Sequence, residues 1–181
     1  MAFADVLKLY LEQANPLVVR ERDHATVPLL LLLDEHNGDW DAVKRENPHV
    51  RQTLTSFGHG ARIVFGIDFW AMRFLDMYQV FLEEHVGEAV VPTVITDVRY
   101  GNELDILRNR FGSDFLAMKI VRPGYAPDGH PSEDGLPDEL FDIVIENNGS
   151  LSDLYTSVNS ALALNSLALS EAATTDMERI K

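Results

Sequence analysis

The sequence predicts an α/β fold with a helical first half and a parallel sheet in the second. Two observations carry that prediction. Through residues 2–86 apolar side chains recur at three- and four-residue steps, the period of a helix face. Beyond residue 88 they gather into three short, mainly apolar runs, residues 89–97, 115–123 and 141–147, each suited to a strand covered on both faces.

In residues 2–14, Phe3, Val6, Leu7, Tyr10 and Leu11 mark a short amphipathic helix that stops at Asn15-Pro16. Thr26 is placed to cap a second helix with Pro28 in its first turn, a body of five leucines and an end near Gly38. Five consecutive leucines predict burial on most sides. Residues 39–87 read as two or three helices, interrupted at Pro48 and loosened by Gly58, Gly60 and Gly66; Trp70, Phe74, Met77 and Phe81 form a core stripe within them. Between the first two predicted strands, Leu104, Ile106 and Leu107 lie in a helix that ends at Gly112. That order predicts a parallel pair joined by a right-handed crossover. Residues 124–140, with three glycines and three prolines, read as a loop or lid. Ser150 and Asp153 form a capping box for a last helix running to about Leu169, and residues 170–181 read as a frayed tail. Residues 1–169 are expected to form a single domain.

Composition narrows the function classes. Hydrophobic residues make up 46% and charged residues 24%, the balance of a globular chain. No apolar stretch is long enough to span a bilayer, and the N-terminus lacks the layout of a signal peptide, so no membrane partner and a cytoplasmic location are expected. Fifteen basic against 29 acidic residues give a net charge of −14, the wrong sign for a nucleic-acid partner. A small phosphorylated ligand stays compatible with that charge, because a few arginines in one pocket outweigh a global field locally. The chain has no cysteine, and its six histidines share no ligand spacing, so no metal site is expected. A dinucleotide fingerprint and a nucleophile elbow are both missing.

Polar residues cluster where the predicted strands end: Asp97, Arg99, Asn102 and Glu103 after the first, Arg122 after the second, Asn147 and Asn148 after the third. Each cluster alone fits an ordinary strand terminus. Ligands of open α/β sheets, however, bind beyond the carboxyl ends of the strands, and three clusters at such ends point to a site.

The segments VITDVRYGNE, KIVRPG, HPSE and VIENNGSLSDL, preceded by FADVLK, NPLV, GDWDAVK and VRQTL, stand in the order found in phage deoxynucleoside monophosphate kinases. The resemblance covers residues 2 to about 162 and implies a P-loop kinase type of α/β fold, with a helical acceptor-site region over residues 2–87 and a sheet region over 89–169. It implies that Arg62 approaches the acceptor nucleotide, Arg99 pairs its phosphate oxygens and Arg122 approaches the transferring phosphoryl group. His130, Ser132 and Glu133 would belong to the lid. Asp97 would orient Arg99 or a magnesium-bound water, Asp5 would face the acceptor site together with Asn102 and Glu103, and Asn147 and Asn148 would serve the donor nucleotide.

The sequence departs from that family in one major respect. No G-x-x-x-x-G-K-[ST] occurs, so the phosphate-cradling Walker A loop, and the first strand that precedes it in the family, are expected to be missing. The resemblance then implies a kinase homologue that recognises a mononucleotide phosphate and is not catalytic as this chain alone, with ATP and Mg2+ used only if a donor site is supplied. The alternative is a binding or interaction protein on a degenerate kinase scaffold. A gap in the sheet would be filled by self-association or by a partner strand.

Overall fold

The computed structural model describes residues 1–86, 92–124 and 135–164. They fall into two compact units, Met1–Val98 and Arg99–Lys181, and the class is mixed α/β as predicted.

The first unit is helical apart from one hairpin. Helix α1 (Phe3–Ala14) ends where Asn15 turns into the left-handed region with φ 42°. Strands β1 (Leu17–Val19) and β2 (Thr26–Pro28) then pair antiparallel, with Val18 opposite Val27 and both buried. Sequence reasoning placed Thr26 at a helix cap and missed this hairpin: three-residue strands are too short to show a period. Pro28 is instead the residue just before α2 (Leu29–Glu35), where its fixed φ suits the entry into a helix. The five leucines are not buried all round either. Leu29, Leu32 and Leu33 are buried at helical spacing, while Leu30 and Leu31 face outward at 44% and 42% exposure. The inward three join Leu11, Val18, Val27, Val43 and Val50 in one apolar cluster.

Three helices follow: α3 (Trp40–Glu46), α4 (Pro48–Phe65) and α5 (Phe69–Glu84). Asp39 caps α3 by accepting from the amides of Asp41 and Ala42 at 2.9 and 3.0 Å. Helix α4 runs unbroken through Gly58 and Gly60, and ends at Gly66, whose φ of 98° is a conformation that glycine adopts without a Cβ penalty. Gly58 is a packing glycine, since a Cβ there would come within 3.3 Å of the Leu7 side chain. The Trp70 indole donates to its carbonyl at 2.8 Å, tying α5 to α4. Of the predicted stripe, Trp70 and Phe74 are buried; Met77 and Phe81 are half-buried. Phe74 stands edge-on to Phe3 at 4.9 Å between ring centroids, joining α5 to α1.

Residues 92–97, the described part of the first predicted strand, belong to no ladder, and residues 87–91 lie outside the described residues. The expected pairing of that run with residues 115–123 is therefore not among the described ladders. A strand needs a hydrogen-bonded neighbour, and apolar character alone does not supply one.

In the second unit, helix α6 (Gly101–Phe111) buries Leu104 and Leu107 and stops at Gly112, with φ 55°. Strands β3 (Met118–Val121) and β4 (Ile143–Glu146) pair parallel, with Ile120 beside Ile145 and Val121 beside Glu146. The Arg108 guanidinium clamps the approach to β4, donating to Asp142 Oδ1 at 3.1 Å and to the Leu140 carbonyl at 2.7 Å. A last helix, α7 (residues 151–164), begins at the predicted capping box: the Ser150 amide donates to Asp153 Oδ2 at 2.8 Å, and the Asp153 amide donates to Ser150 Oγ at 3.2 Å. Its predicted end near Leu169 and the tail 170–181 lie outside the described residues. No helix among the described residues is long and apolar enough to cross a membrane.

Candidate functional site

The parallel pairing of β3 and β4 decides which polar residues share a rim. Both strands run the same way, and their last paired residues are Val121 and Glu146, so Arg122 and Asn147 leave the sheet side by side at its carboxyl end. The Asn147 amide donates to the Val121 carbonyl at 2.8 Å, extending the ladder one step into the rim. Arg122 is exposed and makes no hydrogen bond or ion pair with another described residue. Asn147 is its opposite. The residue is only 7% exposed, and its side-chain Oδ1 is buried without a hydrogen-bond partner among the described residues. A buried acceptor left unpaired costs about 1–3 kcal/mol, so such an atom is a natural place for a ligand donor. Asn148 beside it is exposed. The first turn of α7 follows directly, and hydrogen bonds from the Ser150 hydroxyl and amide hold the Asp153 carboxyl below the usual carboxylate range.

Arg99, Asn102 and Glu103 belong to the start of α6. Glu103 is buried and accepts from the amides of Arg99 and Tyr100 at 2.8 and 3.1 Å. It therefore works as the cap of that helix, a use the sequence signalled only as polarity after a strand. Arg99 is exposed and Asn102 half-buried.

Arg62 and Asp5 belong to the first unit. Arg62 is half-buried in the last turn of α4. Asp5 accepts from the Ala2 amide at 2.8 Å and from Lys8 Nζ at 3.2 Å, closing the first turn of α1. Asp97 does more at the same place. Its two oxygens accept the amides of Phe3 and Ala4, each at 2.8 Å, so a residue over ninety positions away caps α1. The N-terminal ammonium donates to the Val94 carbonyl at 3.0 Å, which reinforces the join. Nothing in local sequence identifies a cap this distant. Replacing Asp97 with Ala should destabilise the first unit by about 1–2 kcal/mol, the range for a lost N-terminal cap. A lowered melting temperature checks this, and an unchanged one would show that the helix start is satisfied by water.

His130, Ser132 and Glu133 lie outside the described residues. Among the described residues no group of three histidine, aspartate or glutamate side chains could hold a metal ion. Sequence reasoning also passed over a polar cleft of about 360 Å³ lined by Arg20, Arg22, Glu35, His36 and Glu46. There the Glu46 carboxylate, 3.0 Å from His36 Nε2, raises the His36 pKa, helped by the Leu32 carbonyl. Its arginines are consumed by ion pairs, Arg20 with Asp23 and Glu35 and Arg22 with Glu35, so the cleft is a structural network.

The sequence model of a family described as deoxynucleotide monophosphate kinase matches residues 31–158. A deoxynucleotide monophosphate kinase of Escherichia phage RB69 is 30% identical over 115 residues, which cover 62% of this chain and 44% of that protein. One from Enterobacteria phage T4 is 27% identical over 100 residues, covering 55% of this chain and 37% of its own length. The matched stretch thus spans less than half the length of either relative.

Proposed function

Because the chain belongs to the deoxynucleotide monophosphate kinase family, we propose that its second unit recognises the phosphate and base ends of a nucleotide at the carboxyl rim of β3 and β4, and that the chain alone does not catalyse transfer. The observation that carries this reading is the pairing of opposites on that rim. Exposed Arg122 follows the last paired residue of β3, and Asn147, with its buried and unpaired oxygen, follows that of β4. A guanidinium suits phosphate oxygens because its planar fork donates to two at once. The Asn147 oxygen suits an amino or ring N–H donor, which a nucleobase carries. Arg99 would pair the phosphate oxygens of the acceptor nucleotide, as the family resemblance implies.

ATP and magnesium belong to this reading only where a donor site is supplied. The unpaired Asn147 oxygen supports a nucleotide ligand, and magnesium would arrive with the nucleotide, held mainly by its phosphates and water. A deoxynucleoside monophosphate is the ligand class proposed, with the choice of base left to experiment. Strand β3 has β4 on one side and no other strand paired to it among the described residues. Two parallel strands make a marginal sheet, so a partner strand or a second copy adding to β3 is part of the proposal. The alternative of a purely interacting protein would leave the rim without a ligand.

Isothermal titration with each deoxynucleoside monophosphate tests the reading. Binding by the native chain is expected, and Arg122→Ala should weaken it by about 1.5–3 kcal/mol, the value of a hydrogen bond to a charged group. Absence of binding to any of them would favour the interaction protein.

A further inference from the structure

A shallow cleft of about 540 Å³ lies at the corner of α3 and α4 and is lined by Asp41, Lys44, Arg45, Pro48 and Arg51. It holds three cationic side chains against one carboxylate, in a chain whose net charge is −14. The occupation of those cations sets this cleft apart from most paired arginines of the surface, Arg122 at the rim being another left unpaired among the described residues. Arg20, Arg22, Arg73 and Arg108 are each neutralised by an ion pair with Asp or Glu. Arg45 and Arg51 are exposed, and neither makes a hydrogen bond or ion pair with another described residue. Lys44 is held at 2.6 Å by Asp41, so that carboxylate is already spent within the cleft. The Asp41 carboxyl is kept below its usual range first by the hydrogen bond from Lys44, then by the charges of Lys44, Lys8 and Arg45. The lining therefore carries three cations to one carboxylate, with Glu46 the acidic neighbour of Arg45 outside it.

We infer that this cleft binds a small, multiply charged anion of the phosphate or pyrophosphate class, with the guanidinium groups of Arg45 and Arg51 as its donors and Lys44 adding charge. Two guanidinium groups lining one concavity offer more N–H donors than a single oxyanion group needs. A compact anion fits the electrostatics better than an extended polyanion: the cations are confined to the cleft, while the chain as a whole carries a net charge of −14 that repels a long phosphate chain. The inference is independent of the nucleotide site proposed above, since neither arginine belongs to that rim.

The test is calorimetric titration of the full chain with inorganic pyrophosphate at low ionic strength, repeated with the double variant Arg45→Gln, Arg51→Gln. Both side chains are exposed and unpaired, so the variant should melt at the native temperature. Binding by the native chain and a loss of about fivefold or more in the variant are expected. Should the double variant melt early, the two single variants carry the same comparison, each losing part of the affinity. Failure of the native chain to bind pyrophosphate, or a smaller loss in the variants, overturns the assignment. Failure of mononucleotide binding with pyrophosphate binding intact would remove the rim reading and leave this cleft standing.

Discussion

Supplied with magnesium, ATP and any deoxynucleoside monophosphate, the purified 181-residue chain is expected to produce no nucleoside diphosphate. Phosphoryl transfer depends on preorganised positive charge at the β- and γ-phosphates, because the transition state offers the protein little covalent chemistry to assist. In P-loop enzymes that charge comes from the backbone amides and lysine of a G-x-x-x-x-G-K-[ST] loop, with a hydroxyl on the metal. The sequence contains no such pattern. Loss of a single oxyanion donor typically costs about 10²–10³ in rate, and here several would be missing together. A coupled assay for ADP, run after successive columns that remove host kinases, checks the expectation. Magnesium-dependent turnover that stays with the chain through every column would overturn it.

Phe74→Ala should be the most destabilising single substitution in the first unit, at about 3–5 kcal/mol. Phe74 is wholly buried. Its ring meets Phe3 edge-on at 4.9 Å on one side and stacks along Tyr78 at 6.2 Å on the other. Truncation removes the transfer free energy of the ring and leaves a cavity that α1 and α5 share. Backbone hydrogen bonds within each helix keep either from collapsing to fill it. Denaturant melts followed by tryptophan fluorescence provide the measurement, because Trp70 lies one turn away on the same helix. A cost under about 1 kcal/mol would show that α1 repacks onto α5 freely.

Helices were legible because their evidence is repeated. The spacing of Phe3, Val6 and Leu11 and of Trp70 and Phe74 states the buried face several times over, and Gly112 and Ser150 announce an end and a start through their own backbone chemistry. The hairpin at Val18 and Val27 was illegible because three residues do not make a period. The run ending at Asp97 shows the opposite failure: its composition is that of a strand, but strand pairing is a property of two segments and cannot be read from one. At the site, the rim position of Arg122 and Asn147 followed from where apolar runs stop. The burial of the Asn147 oxygen did not, nor did the duty of Glu103 as a cap, since both depend on which backbone groups the fold delivers to them. Nothing in the sequence singles out Arg45 and Arg51, because an arginine without a partner looks, in sequence, like any other arginine.

The cap that Asp97 places on α1 also sets an order of events in synthesis. The amides of Phe3 and Ala4 leave the ribosome long before the carboxylate that will hold them, which follows 94 and 93 residues behind. At about 5–20 residues per second that interval is on the order of 5–20 s. Through it the first turn of α1 has only the local Asp5 bond, and until α5 brings Phe74 against Phe3 the 12-residue helix is marginal alone in water. The opening segment of the chain therefore waits, incompletely fastened, until residues 94–97 arrive to secure it. Nascent chains halted before residue 94 should accordingly be cut near Phe3 by a protease that spares the finished protein.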